Sequence, residues 1–331
     1  MGKKWLLLIP LFLVIVYVSG PSPAVPQYKK DLPLVPSDAG ALEDFVKNGE
    51  ARHRLKPDNE ARIIWANDSL KNKTDYSLVY LHGFSASQEE GNPVHMDIAR
   101  KFGCNLYLSR LAEHGLDSSE QLLNLTADNL WESSKQALVI GKQLGQKVIL
   151  IGTSTGATLA LKLAAVYPDD VAALILLSPN IAINDDKAWI LSKPWGLQLA
   201  RLVKHSKYNT SEDDRPVYKK YWSRPYRLEA AVALQELLET SMKEETFNAI
   251  KQPALVLYYY KDEVHQDSVV KVSAELTMFE ELGTDPALKR KKAMPNTGNH
   301  VLGSWIKSKD IEGVEREIEK FMIEVLGMKS A

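Results

Sequence analysis

Cysteine is nearly absent. Cys104 is the only one in 331 residues, so no disulfide can form within the chain. A chain of this length can bury roughly three quarters of its unfolded surface and needs no covalent staple to fold. The sequence around the cysteine, Gly103-Cys104-Asn105-Leu106-Tyr107-Leu108, reads as a short strand, and Cys104 reads as a buried structural thiol. An excess of charge is absent too. Lys and Arg total 41 and Asp and Glu total 42, a formal net charge of -1. That balance excludes a broad basic surface for nucleic acid. Also missing are internal repeats and a long membrane-spanning run, because the longest apolar stretch, Trp5–Val18, falls short of the ~20 residues that comfortably cross a bilayer. Glu89, Glu90 and His95 lie close together but match no common metal-ligand spacing, so no metal is expected.

The rest is ordinary globular composition, with 45% hydrophobic and 25% charged residues. The N-terminus stands apart. Lys3 and Lys4 precede the apolar run, the pattern of an export signal. Residues 1–20 therefore read as a signal peptide or as a short membrane anchor. Either reading places the folded part outside the cytoplasm, exported or membrane-anchored, because basic residues favour a cytoplasmic N-terminus. Pro21, Pro23, Pro26, Pro33 and Pro36 mark residues 21–40 as an extended linker outside the core.

From residue 41 onward, β-rich apolar runs alternate with amphipathic stretches. The expected strands are Arg62–Trp65, Ser77–Leu81, Asn105–Leu108, Lys147–Ile151, Ala172–Leu177 and Ala254–Tyr260, with a seventh at Lys292–Met294. Several are unbroken Val/Ile/Leu runs, as parallel strands buried on both faces require. Helical patterns cover Ser119–Leu144, Ala157–Tyr167 and Ile311–Leu326. The alternation predicts an α/β fold with a mainly parallel sheet. Between about 181 and 250 no strand is expected, only helical stretches near Ala188–Leu202 and Arg227–Met242. This segment reads as a helical cap inserted into the domain. Its aromatic residues, among them Trp189, Trp195, Tyr218 and Trp222, suit either packing onto the body or shelter for an apolar chain. Lys219, Lys220, Arg224 and Arg227 read as a solvated face.

The chemistry concentrates in three places. Gly152-Thr153-Ser154-Thr155-Gly156 is a G-x-S-x-G motif between a buried strand and a helix. The glycines permit a sharp turn that exposes the Ser154 hydroxyl at the end of the sheet. The Thr155 N–H then points toward an oxyanion. An earlier strand ends in Tyr80-Leu81-His82-Gly83-Phe84, where the Phe84 N–H is the second candidate oxyanion donor and His82 braces the loop. Finally, a serine hydroxyl needs a base, and the base needs an acid to orient it. Behind such an elbow the partners follow in the order Ser, then Asp or Glu, then His. Asp262, at the end of a late strand, is the first choice of acid, with Glu263 and Asp267 as rivals. His300, on the polar loop Asn296-Thr297-Gly298-Asn299-His300, is the base.

Together these motifs resemble the α/β-hydrolase family over roughly residues 60–328, and within it the lid-bearing carboxylesterase and monoacylglycerol-lipase group. Leu111-Ala112-Glu113-His114-Gly115 is similar to the G-H-G turn of that group, with Glu113 in place of its first glycine. The resemblance implies a serine hydrolase that cleaves carboxylic esters through an acyl-enzyme without a cofactor, on a small-molecule or lipid ester. A thioesterase or amidase on the same fold, and a noncatalytic membrane-tethered binding protein, are the alternatives. Thr153 and Thr155 are smaller than the residues often found in the elbow, which leaves the substrate subclass open.

Overall fold

Uninterrupted runs of Val, Ile and Leu form the centre of the sheet in the computed structural model, which describes residues 3–331. In chain order the strands are β1 (Arg62–Ile64), β2 (Thr74–Leu81), β3 (Asn105–Leu108), β4 (Gly145–Thr153), β5 (Ala173–Leu177), β6 (Tyr208–Asn209), β7 (Tyr226–Arg227), β8 (Ala254–Tyr258) and β9 (Lys289–Ala293). Seven of them make one sheet in the order β1-β3-β2-β4-β5-β8-β9. Only β1 runs antiparallel to its neighbour, and every other pairing in this sheet is parallel.

The helices are α1 (Lys3–Val18), α2 (Ala39–Glu50), α3 (Val94–Lys101), α4 (Ala127–Leu144), α5 (Thr155–Val166), α6 (Gly196–Lys204), α7 (Pro216–Tyr221), α8 (Leu228–Ser241), α9 (Glu244–Ala249), α10 (Val272–Glu281) and α11 (Ile311–Glu324). Side chains alternate across each strand, so the sheet feeds two cores. Val79, Leu81, Leu150, Leu174 and Leu176 pack against α4, α5 and α8. Leu78, Tyr80, Ile149, Ile151 and Ile175 pack against α3 and α11. The parallel strands are thus covered on both faces, as their hydrophobic runs anticipated.

All seven expected strands form, with ends shifted by up to three residues. The helix expected from Ser119 begins only at Ala127, because Thr126 and Asn129 form a capping box there. The stretch expected as one helix over Ala188–Leu202 is broken. A short 3-10 turn covers Ala188–Ser192. Pro194 and Trp195, which sits at φ +67°, then separate it from α6. Between β5 and β8 the chain carries α6–α9, and contrary to expectation also a strand pair, β6 with β7.

The proline-rich stretch is not a free spacer. Asp128 Oδ1 accepts the backbone N–H groups of Gln27 and Tyr28, each at 2.8 Å. Trp131 Nε1 and Lys135 Nζ donate to Lys29 O, and Lys135 also donates to Asp31 O. Lys135 is buried on α4. A buried ammonium is costly unless paired and hydrogen-bonded, and these carbonyls together with the Glu132 carboxylate at 2.9 Å satisfy it. The strap is therefore part of the packed body.

Candidate active site

The site forms where β2, β4, β5 and β8 end. Ser154 ends β4 and starts α5 with φ 54° and ψ -117°, a conformation that L-residues rarely adopt. Such strain persists only where the surroundings enforce it. Here the Ser154 N–H donates to Leu177 O at 2.9 Å, and Ser154 O accepts from Thr158 and Asn180. Gly156 is required by close approach, since a Cβ there would lie 1.9 Å from Leu81 O. This contact brings the start of α5 directly onto the end of β2.

β2 continues into His82-Gly83-Phe84, and two buried histidines hold this turn. His82 Nδ1 donates to Gly83 O at 2.9 Å and its Nε2 accepts the Leu111 N–H at 3.0 Å. His114 Nε2 accepts the Ser85 N–H at 3.0 Å, and its Nδ1 donates to Ala112 O at 2.8 Å. Both rings use one nitrogen as donor and one as acceptor, the pattern of neutral imidazole. Burial pushes His82 well below its ordinary value and His114 down to about 4. His82 is thus a brace, as expected, and His114 belongs to the same brace. Among the described residues, neither the Phe84 nor the Thr155 backbone N–H finds an acceptor.

Glu90 is a residue whose importance the sequence did not reveal. It is buried, and its Oε2 accepts the Gly83 N–H. Burial raises its carboxyl to about 7, against the opposing pull of the Gly83 N–H, His300 and Tyr80. No spacing rule points to it, because it reaches the turn only when the chain folds back through Gln88–Gly91.

His300 lies on the loop after β9, and its Nδ1 lies 2.5 Å from Asp267 Oδ2. The other oxygen of Asp267 accepts the N–H groups of Val269 and Val270 at 2.8 and 3.2 Å. The Asp267 side chain is fully buried. Burial pushes its carboxyl up, but the charge and hydrogen bond of His300 outweigh this and hold it below its ordinary value. For His300, burial is a lowering force. Asp267, helped by Glu90, overcomes it and raises the imidazole above its ordinary value.

The expected acid, Asp262, is corrected by this geometry. Its carboxylate accepts the His265 N–H at 2.8 Å and contacts His265 Nδ1 at 2.8 Å, with half of its side chain exposed. Tyr260 and Gln266 bridge, so residues 261–265 form a small projecting loop. The chain returns to the sheet at Asp267, whose N–H donates to Tyr259 O at 3.1 Å. The first acid after the strand is carried away from the site, and the rival five residues later is brought to it.

Ser154, His300, Phe84 and Glu90 face one cavity of about 730 Å³. Its far wall comes from the segment between β5 and β8, including Ile190, Leu191, Leu199 and Val203. Among the described residues no three His, Cys, Asp or Glu side chains converge as metal ligands.

Comparison with known proteins agrees with this architecture. The family model Hydrolase_4, described as serine aminopeptidase, S33, matches residues 129–294, half of the chain. The fold is shared with one of two metagenome-derived lipolytic enzymes, LipS and LipT, at 16% identity and a TM-score of 0.63, covering 81% of this chain and 99% of that one. Est1E from Butyrivibrio proteoclasticus with bound ferulic acid superposes at 16% identity and a TM-score of 0.56, covering 81% and 95%. A monoacylglycerol lipase from Paleococcus ferrophilus superposes at 12% identity and a TM-score of 0.56, covering 80% and 97%. No curated protein matches the sequence.

Proposed function

Since the chain belongs to the α/β-hydrolase family described as serine aminopeptidase, S33, we propose that it is a serine hydrolase cleaving carboxylic esters of apolar acyl chains. The observation that carries this reading is the 2.5 Å contact between His300 Nδ1 and Asp267 Oδ2, with Ser154 held at a strained elbow over the same cavity. The apolar far wall supports the choice of acyl chain, and the segment between β5 and β8 acts as a lid.

In this mechanism Ser154 Oγ attacks the acyl carbon and His300 Nε2 takes its proton. Asp267 holds the ring in the required tautomer and stabilises the imidazolium that forms. The Phe84 and Thr155 N–H groups receive the oxyanion as preorganised dipoles. The intermediate collapses as His300 returns the proton to the departing alcohol, leaving an acyl-serine. Water, deprotonated by His300, then attacks the acyl carbon, and as the intermediate collapses His300 returns that proton to Ser154 Oγ, so the carboxylic acid leaves with the serine and the neutral base restored.

Replacing the nucleophile tests the reading. Ser154→Ala is expected to lose turnover of p-nitrophenyl esters on the order of a million-fold, as in serine-protease triads. Fluorophosphonate labelling is expected to vanish with it. Retained hydrolysis in purified Ser154→Ala would refute the nucleophile. The family description favours amides as a second substrate class, and an ester, thioester and amide panel with one common acyl group decides between them.

The N-terminal segment is read as an export signal or tether. Among the described residues no helix is long and apolar enough to cross a membrane. Fractionation of the full-length chain, with N-terminal sequencing of the product, tests both halves of that reading.

A further inference from the structure

The cavity over Ser154 contains a cation whose charge nothing nearby balances. Arg224 lines it. Among the described residues no carboxylate comes within 4.0 Å of the guanidinium, and its buried Nε has no hydrogen-bond partner. The neighbouring basic residues differ. Lys307 pairs with Asp213, while Lys187 and Lys204 are exposed at the rim. Arg227, three residues on, pairs with Glu120 and Glu229.

The position of Arg224 is built rather than loose. The Ser223 N–H donates to Ser85 O at 2.6 Å, which ties this segment to the turn carrying Phe84. The guanidinium lies 4.4 Å from the Tyr226 ring centroid, and Tyr226 meets Phe84 edge-on at 5.0 Å. This cation–π contact holds the guanidinium beside the ring and leaves its N–H donors for a ligand. A partly desolvated, unpaired guanidinium is costly to maintain, and a planar fork of this kind suits a carboxylate or phosphate group.

Resting on the esterase reading above, we propose that Arg224 binds an oxyanion of the substrate. The preferred substrates are then esters that carry a carboxylate or phosphate away from the scissile bond. Glu90 and Asp185 line the same cavity. Glu90 is committed to Gly83, and Asp185 to the Lys187 backbone N–H. A preference for cationic esters would therefore contradict this assignment.

The test compares chain-matched esters on the full-length protein at low salt. p-Nitrophenyl octanoate is set against the mono-p-nitrophenyl ester of octanedioic acid. 1-Octanoylglycerol is set against its 3-phosphate. At least one anionic member should exceed its neutral partner by about tenfold in kcat/KM, the scale of one good ionic contact. The pair that responds tells carboxylate from phosphate. Arg224→Gln should lower that ratio about tenfold, and Arg224→Lys should recover part of it. The proposal is overturned if the neutral member is preferred in both pairs, or if Arg224→Gln lowers both members of each pair together. Failure of the esterase reading is a separate outcome, with no ester turned over and no fluorophosphonate labelling. In that case titration of octyl phosphate against octanol decides: equal binding by wild type and Arg224→Gln overturns the anion site.

Discussion

The floor and the roof of the cavity are built in opposite ways. The floor is the ends of β2, β4, β5 and β8, where strands buried on both faces deliver Ser154 and the Phe84 turn, and backbone N–H groups fix Asp267. The roof is short helices and turns, with Trp195 and His205 at positive φ and Leu202 and Val203 exposed at 67% and 76%. Among the described residues, Arg224 lines the roof side of the cavity with no ion-pair partner. Under the proposed reading, reaction chemistry, which needs fixed geometry, falls to the sheet, and selectivity, which tolerates adjustment, falls to the insert.

The comparison can be broken most severely at the floor. Asp267→Asn should lower kcat by about 10⁴, because the imidazole loses its orienting charge. Asp267 raises the pKa of His300, and the base must be neutral to act. The acid limb of the pH–rate profile should therefore move to lower pH in this variant. Asp262→Asn, in the projecting loop, should leave kcat within about twofold, as surface changes do. A larger loss in Asp262→Asn than in Asp267→Asn would return the acid to Asp262.

Next in size is the floor's packing. Leu176 is fully buried under the site, and Leu176→Ala should cost about 2–5 kcal/mol in urea unfolding. A change below about 0.5 kcal/mol would mean that the sheet does not carry the stability assigned to it here.

Glu90→Gln sharpens the electrostatics of the same floor. The folded carboxyl titrates at about 7, above its ordinary 4.5. Its contribution to stability is therefore complete below the unfolded value and is lost as pH rises through about 7. The glutamine stays neutral and keeps an acceptor for Gly83. Its advantage over wild type should grow between pH 5 and 8, up to about 3 kcal/mol. A difference independent of pH in thermal unfolding would show that Glu90 titrates normally. The smallest effect is expected on the roof. Leu202→Ser with Val203→Ser should leave stability within about 0.5 kcal/mol and raise KM for long-chain esters a few-fold. A large loss of stability would make the roof part of the core.

The floor was the legible half in the sequence. Parallel buried strands leave unbroken apolar runs, and the elbow places its serine by local spacing, so β4, Ser154 and α5 could be read together. His300 followed from chain order. Asp262 was preferred to Asp267 because it comes first after β8, and only the return of the 261–265 loop brings the later acid to His300. Glu90 and Arg224 were read as a ligand-spacing question and a solvated face. Their roles depend on contacts across the fold, Glu90 with Gly83 and the Arg224 segment with Ser85, which no local pattern encodes.

The strap at Gln27–Asp31 also sets a leash. It is fastened to α4, and residues 19–26 connect it to α1. Eight residues fully extended reach at most about 29 Å. The leash is shortened further where Trp195 donates to Val16 O and to Pro21 O, each at 3.0 Å. The N-terminal helix is therefore held against the same insert that forms the roof of the cavity.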